Sequence, residues 1–254
     1  MSRFSAPAIL LRRIAHGDHD LILTLLTRDQ GKIAVIAKNA KKSTRRFAGA
    51  LEPFSVVQAV CEKGRGGLMV LQEAALIRPN DRIRGDIRKT AYANFWAETI
   101  HVWVEEGRSQ EALFDLLRTA LELVNGETLP AEVVSIYFQI RFLSLSGLLP
   151  NLVECCACRC MLENIGDSRM FPDFRKGGVT CRNCGPENEG GTSLSKGTMK
   201  KLLWINSPDV KKVERIRFAP QGIREGLFFL ETFVVYHLGK ELNSLKFLRS
   251  MRKP

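Results

Sequence analysis

The first ninety residues contain no tryptophan and no tyrosine; Phe4, Phe47 and Phe54 are their only aromatic side chains. That shortage shapes any nucleic-acid role, because tight binders of single strands lay bases on aromatic rings. Long apolar runs are also missing. None reaches the roughly 18 residues that cross a bilayer: residues 133–149 are broken by Gln139 and Arg141, and residues 227–238 by Glu231. The apolar stretch 8–11 stops at Arg12 and Arg13, too soon for the core of a secretion signal. No Walker-type Gly-Lys-Ser/Thr loop is present, nor a Gly-x-Ser-x-Gly elbow, nor a His-Glu-x-x-His pair. His16, His19, His101 and His237 stand apart from any nucleophile or acid that would complete a catalytic group. These absences predict a non-enzymatic protein without a membrane segment. Seven cysteines without a secretory signal place it in a reducing compartment, cytoplasmic or nucleoid-associated.

What is abundant is positive charge, unevenly spread. Residues 1–90 carry 17 Lys/Arg against 8 Asp/Glu, residues 91–195 carry 8 against 14, and residues 196–254 carry 13 against 5. Two basic regions thus flank an acidic middle. Basic faces favour polyanions, and the densest cluster, Lys38, Lys41, Lys42, Arg45 and Arg46, falls in one connection. A solvated basic surface is the plainer alternative.

The hydrophobic pattern divides the chain. Residues 8–13, 20–27, 32–37, 54–61 and 68–76 are five short β-rich runs separated by Gly-bearing turns, the last preceded by the 63–67 loop. The long gap at 38–53 matches the connection between the third and fourth strands of a five-stranded OB barrel, and a basic, mobile loop there would hold a phosphate backbone. From Asp81 the period becomes helical. Ile87, Ala91, Phe95 and Thr99 share a face beside Trp96 and Trp103. Ser109 is read as the cap of a second helix, with Ala112, Leu113, Leu116, Leu117 and Leu121 as its stripe, and Pro130 opens a third. Helical patterning resumes at 199–205 and 226–242, and a basic tail closes the chain at Lys246, Arg249, Arg252 and Lys253.

Residues 150–190 have no such period and are rich in Cys, Gly and Asn, so they need a staple. Two Cys-x-x-Cys pairs, Cys155/Cys158 and Cys181/Cys184, supply one: each short spacer turns both sulfurs toward one point, which is zinc-site spacing. Cys156 and Cys160 also sit in the first pair's turn and leave the ligand choice open. No histidine lies in this segment, which argues for a structural rather than a catalytic Zn(2+). The expected fold is α+β and multidomain: an OB-fold nucleic-acid-binding barrel at 1–80, a helical domain at 81–149 and 193–254, and a four-cysteine zinc-binding module inserted at 150–192.

These residues also carry a resemblance. The runs Ala8-Ile-Leu-Leu-Arg-Arg, Leu21-Ile-Leu-Thr-Leu-Leu-Thr-Arg-Asp-Gln-Gly-Lys, Ala37-Lys-Asn-Ala-Lys-Lys and Leu51-Glu-Pro-Phe-Ser resemble the start of the bacterial RecO family of recombination mediators. The likeness continues through Asp86-Ile-Arg-Lys, Gly147-Leu-Leu-Pro, Gly177-Gly-Val-Thr-Cys181 and Ser244-Leu-Lys-Phe-Leu. It spans essentially the whole chain in order, although Arg159 stands where the family often has glycine. The resemblance implies a DNA-repair protein that binds single- and double-stranded DNA and anneals complementary strands. It also implies action with the single-strand-binding protein SSB, through its acidic tail, and with RecR, to help load RecA. The matching basic positions are Lys38, Lys41, Lys42, Arg45 and Arg46, with Arg82, Arg84, Arg88 and Lys89 at the barrel–helix junction. The competing reading is an RNA- or ribosome-associated OB and zinc-ribbon module.

Overall fold

The computed structural model describes residues 3–43, 45–64, 68–166, 169–185 and 193–252. Residues 65–67, the 186–191 part of the glycine-rich loop and Lys253 lie outside the described residues. The chain divides into two compact units. One runs to Gly126 and takes in the residues from Leu242 onward; the other is Glu127–Glu241.

The first unit opens with β1 (Arg3–His16), β2 (Asp20–Thr27), β3 (Gly31–Ala37), β4 (Val56–Lys63) and β5 (Met69–Arg78), closed into a barrel in the order β1-β2-β3-β5-β4. All pairings are antiparallel except the short β3–β5 ladder, where Val35 faces Met69 and Ile36 faces Val70. This is an OB-like barrel. Period-two alternation builds its interior: Leu21, Leu23 and Leu25 of β2 and Ile33, Val35 and Ala37 of β3 point inward onto Leu10, Val57, Ala59 and Leu71. β1 serves two partners, β4 through residues 3–9 and β2 through residues 8–16, and a bulge between Leu10 and Arg12 turns it from one to the other. At the β2–β3 turn, Gly31 has φ +69°, and a Cβ there would lie 2.0 Å from the Arg108 carbonyl oxygen. Only glycine lets that backbone approach so closely.

The sequence predicts a mobile connection after β3. Instead Phe47, Ala50 and Leu51 join the barrel core and Phe54 is buried, so apolar burial anchors the 38–55 loop at four points. The single helix expected from Asp81 is two, α1 (Asp81–Arg84) and α2 (Ile87–Trp103), separated at Gly85 and Asp86; the Asp86 carboxylate accepts from the Arg88 and Lys89 N–H groups and caps α2. Ala91, Phe95, Trp96 and Thr99 are buried as expected, whereas Ile87, in the first turn, is 67% exposed. Ser109 does not cap α3 (Glu111–Asn125): its hydroxyl donates to the Arg28 carbonyl, and Gln110 holds the cap position. The helices α4 (Ala131–Leu145), α5 (Lys196–Ile205), α6 (Val210–Arg215) and α7 (Pro220–Leu238) belong to the second unit, but α8 (Asn243–Arg252), at the far end of the chain, belongs here. Its first N–H groups, on Asn243 and Ser244, donate to the Glu98 carboxylate of α2.

The second unit begins with α4 (Ala131–Leu145), which follows Pro130 and is buried on nearly every side. β6 (Arg169–Asp173), β7 (Gly178–Thr180) and β8 (Leu194–Ser195) form a small sheet in the order β7-β6-β8. α5 (Lys196–Ile205), α6 (Val210–Arg215) and α7 (Pro220–Leu238) complete it. Phe174, just after β6, packs its ring 6.1 Å from those of Phe229 and Phe233 and so ties the cysteine segment to α7.

Candidate metal centre and nucleic-acid interface

The cysteine segment folds as two tight turns facing one another. In the first, the Cys155 N–H donates to the Cys160 carbonyl and the Arg159 N–H to the Cys155 carbonyl, both at 2.9 Å. Arg159 closes this turn at φ +61°, a left-handed conformation that explains why glycine suits the position. The Arg159 guanidinium pairs with Glu154 at 2.5 Å. The second turn is a single 3-10 turn at Arg182–Cys184 following β7. The two turns meet because β7 comes very close to the first: a Cβ on Gly178 would fall 2.4 Å from the Asn151 carbonyl and 2.8 Å from Cys156 Sγ. Gly178 is therefore a packing requirement of the site.

This arrangement brings the sulfurs of Cys155, Cys158, Cys181 and Cys184 within 4.8 Å of one another. The Cys158–Cys181 separation is 3.9 Å. A tetrahedron with metal–sulfur bonds of about 2.3 Å has edges of about 3.8 Å, so the four thiols could hold a metal ion with little movement. Burial pushes the Cys155 thiol up, but backbone N–H donors from Cys158, Cys181 and Ala157 outweigh it and bring the group down to about 6. Hydrogen bonding to Cys181 and Cys158 pushes Cys184 up to about 12. Four sulfurs this close resist common ionisation on their own, and a divalent cation is what removes that resistance. Cys156 is not part of this group: its Sγ lies beside Gly178, and its N–H donates to the Val179 carbonyl. Cys160 lines a cleft of about 340 Å³ together with Cys158, Cys181 and Cys184. The seventh thiol, Cys61, is an inert part of the barrel core, pushed up to about 11 by burial.

The basic positions divide by what their side chains do. Lys38, Lys42, Arg45 and Arg82 are exposed and have no side-chain hydrogen bond or ion pair among the described residues. Lys41 Nζ donates to the Gly17 carbonyl, and the Arg46 guanidinium donates to the Lys38 carbonyl while lying 4.9 Å from the Phe47 ring centroid. Arg84 donates to the carbonyls of Pro79 and Pro53, at 2.7 and 3.3 Å. With Asn80, whose amide donates to the Phe54 carbonyl, Arg84 joins the barrel–helix junction to the end of the basic loop. Arg88 is exposed and Lys89 half-buried at the start of α2. Among the described residues no helix is long and apolar enough to cross a membrane.

The protein thus combines an OB-like barrel, a helical region and a four-cysteine cluster that could bind a metal ion. The comparison with known sequences then places the chain. Residues 1–80 match the family description "Recombination protein O N terminal" and residues 84–246 match "Recombination protein O C terminal". The DNA repair protein RecO of Desulfatibacillum aliphaticivorans is 44% identical over 255 residues, covering 100% of this chain and 99% of the relative. That of Desulfosudis oleivorans is 41% identical over 258 residues, covering 99% of each. A third, from an Anaeromyxobacter species, is 31% identical over 98% of this chain and 96% of its own. The chain belongs to the RecO family of DNA repair proteins.

Proposed function

We propose that this protein is a non-enzymatic recombination mediator. It binds single- and double-stranded DNA, anneals complementary strands, and acts with SSB and RecR to help load RecA. The observation that carries this reading is the 38–55 loop. Its apolar residues Phe47, Ala50 and Leu51 are fixed in the barrel core while Lys38, Lys42 and Arg45 face solvent. A pre-ordered row of cations meets phosphates with little ordering cost, and phosphate binding serves single and double strands alike. Arg82 extends this basic surface from the junction that Arg84 ties to the loop, and Arg88 and Lys89 continue it; Lys41 and Arg46 both shape the loop and add field. Neutralising phosphates on two strands at once lowers the repulsion between them. We keep the division into a 1–80 barrel, a helical domain at 81–149 and 193–254, and a 150–192 module as part of this reading; the break between the two family matches near residue 80 supports its first boundary.

The metal is read as one structural Zn(2+) held by Cys155, Cys158, Cys181 and Cys184; an all-thiolate set suits zinc and leaves no open position for a substrate. For SSB, the acidic tail is assigned to α8, where Phe247 and Met251 are exposed beside Lys246 and Arg249. The test of the DNA reading is the salt dependence of binding. Changing Lys41, Lys42, Arg45 and Arg46 to Ala is expected to weaken binding and to flatten the log–log salt slope by about one unit for each phosphate no longer neutralised. An unchanged slope removes the loop from the mechanism. Competition between matched RNA and DNA strands separates this reading from the RNA-module alternative.

A further inference from the structure

Of the three tryptophans, Trp96 is buried and Trp103 half-buried on α2, but Trp204 on α5 is 49% exposed. A large flat ring left in water marks a binding surface more often than most other side chains do. Its surroundings sharpen that reading. Helical spacing sets Lys200 and Lys201 one turn before Trp204 on neighbouring faces. After α5 the chain leaves, forms α6 and returns: Lys201 Nζ donates to the Arg217 carbonyl, 16 positions along, and lies 5.5 Å from the Phe218 ring centroid. The excursion is therefore closed back onto α5. Buried Val213 and Ile216 pack it down, and the Asp209 carboxylate caps α6 through the Lys211 N–H. Lys211, Lys212 and Arg215 are left pointing outward; like Lys200, they have no side-chain partner among the described residues. Residues 196–218 hold seven Lys/Arg against only Asp209 and Glu214.

We infer that α5, together with the 206–218 excursion tied back to it through Lys201, is a second nucleic-acid site, one that takes single strands: the Trp204 ring stacks a base while Lys200, Lys211, Lys212 and Arg215 hold the flanking phosphates. The chemistry is that of sequence-tolerant single-strand binding, an exposed aromatic platform among cations that face solvent. It supplies what residues 1–90, with neither Trp nor Tyr, do not have. An acidic peptide would find the same charges, but a flat exposed indole flanked by cations matches a base and its phosphates more closely. The inference rests on the DNA-binding reading and gives each compact unit a site of its own.

The test titrates the full chain with oligo-dT, reading tryptophan emission and strand anisotropy together. Oligo-dT is expected to quench the part of the emission that Trp204→Phe removes. Trp204→Ala is expected to weaken binding about tenfold, with Trp204→Phe retaining most of it. The pair Lys211→Glu and Lys212→Glu is expected to lower the salt slope. The four-alanine barrel-loop variant should still show the quenching. If oligo-dT binds but Trp204→Ala binds like the unaltered chain and Trp204 emission does not change, the second site is overturned while the DNA-binding reading stands. If no strand binds any form of the protein, the proposed function itself fails. If an acidic peptide quenches Trp204 and oligo-dT does not, the site belongs to a protein partner and the inference is wrong.

Discussion

At the scale of single residues, charge type is easy to read in a sequence but charge use is not. Glu225 is the clearest case. It sits in the apolar helix α7, and nothing in the pattern sets it apart from a solvent-facing glutamate. In the fold it is buried and accepts from Thr198 Oγ1, the Ser195 N–H and hydroxyl, the Gln221 amide and the Arg169 guanidinium, all within 3.0 Å. Burial pushes its carboxyl up, but those donors more than offset it and hold the group down at about 2. A carboxylate held below its ordinary value stabilises the fold fully above about pH 4.5 and loses that contribution as pH falls toward 2. Glu225→Gln is therefore expected to cost about 2 kcal/mol at pH 7. The gap in melting temperature between variant and parent should narrow as pH drops from 5 to 3, and a gap that stays constant across that range would contradict the assignment. Arg84 and Arg46 teach the same lesson: in sequence both look like phosphate ligands, and in the fold both spend donors on backbone carbonyls that shape the loop.

At the scale of elements, the barrel is the most legible part. The strand 20–27 shows both of its ends in the sequence, because alternation and flanking turns agree there. The helices are legible as existing but not as bounded. Pro220 opens α7 and Gly239, at φ +61°, closes it; both are strong punctuation, yet the apolar run at 226–242 draws the expected boundaries away from them. The sheet of β6, β7 and β8 is not readable at all, since its strands are only two to five residues long and its order depends on where the cysteine turns meet. The pairing of the two Cys-x-x-Cys turns is legible from spacing. What spacing does not reveal is that Cys156 lies outside the four-sulfur group, with its Sγ beside Gly178, and that Gly178 lets β7 approach. Metal analysis of the purified protein is expected to give one zinc per chain. Chelation, or Cys184→Ser, is expected to lower the melting temperature by on the order of 10 °C. A fully folded chain without metal, with an unshifted melt after chelation, would exclude the structural-zinc reading.

At the scale of the whole molecule, charge distribution and part order are readable, and long-range closure is not. The docking of α8 on Glu98 joins residues 145 apart, beyond the reach of any periodic pattern. The chain-wide similarity to RecO proteins places this molecule among DNA repair proteins, and the proposed DNA binding draws on two basic regions, one in the barrel segment and one over residues 196–254. The proposed function has these surfaces act on strands already covered by SSB, not merely on bare polyanion. The most direct measurement is the annealing rate of two complementary DNA strands, each coated beforehand with cognate SSB, with and without this protein. Faster annealing of the coated strands is expected, reduced when Lys41, Lys42, Arg45 and Arg46 are changed to Ala. Acceleration of naked strands alone, with coated strands unaffected, would contradict it and leave only general charge neutralisation.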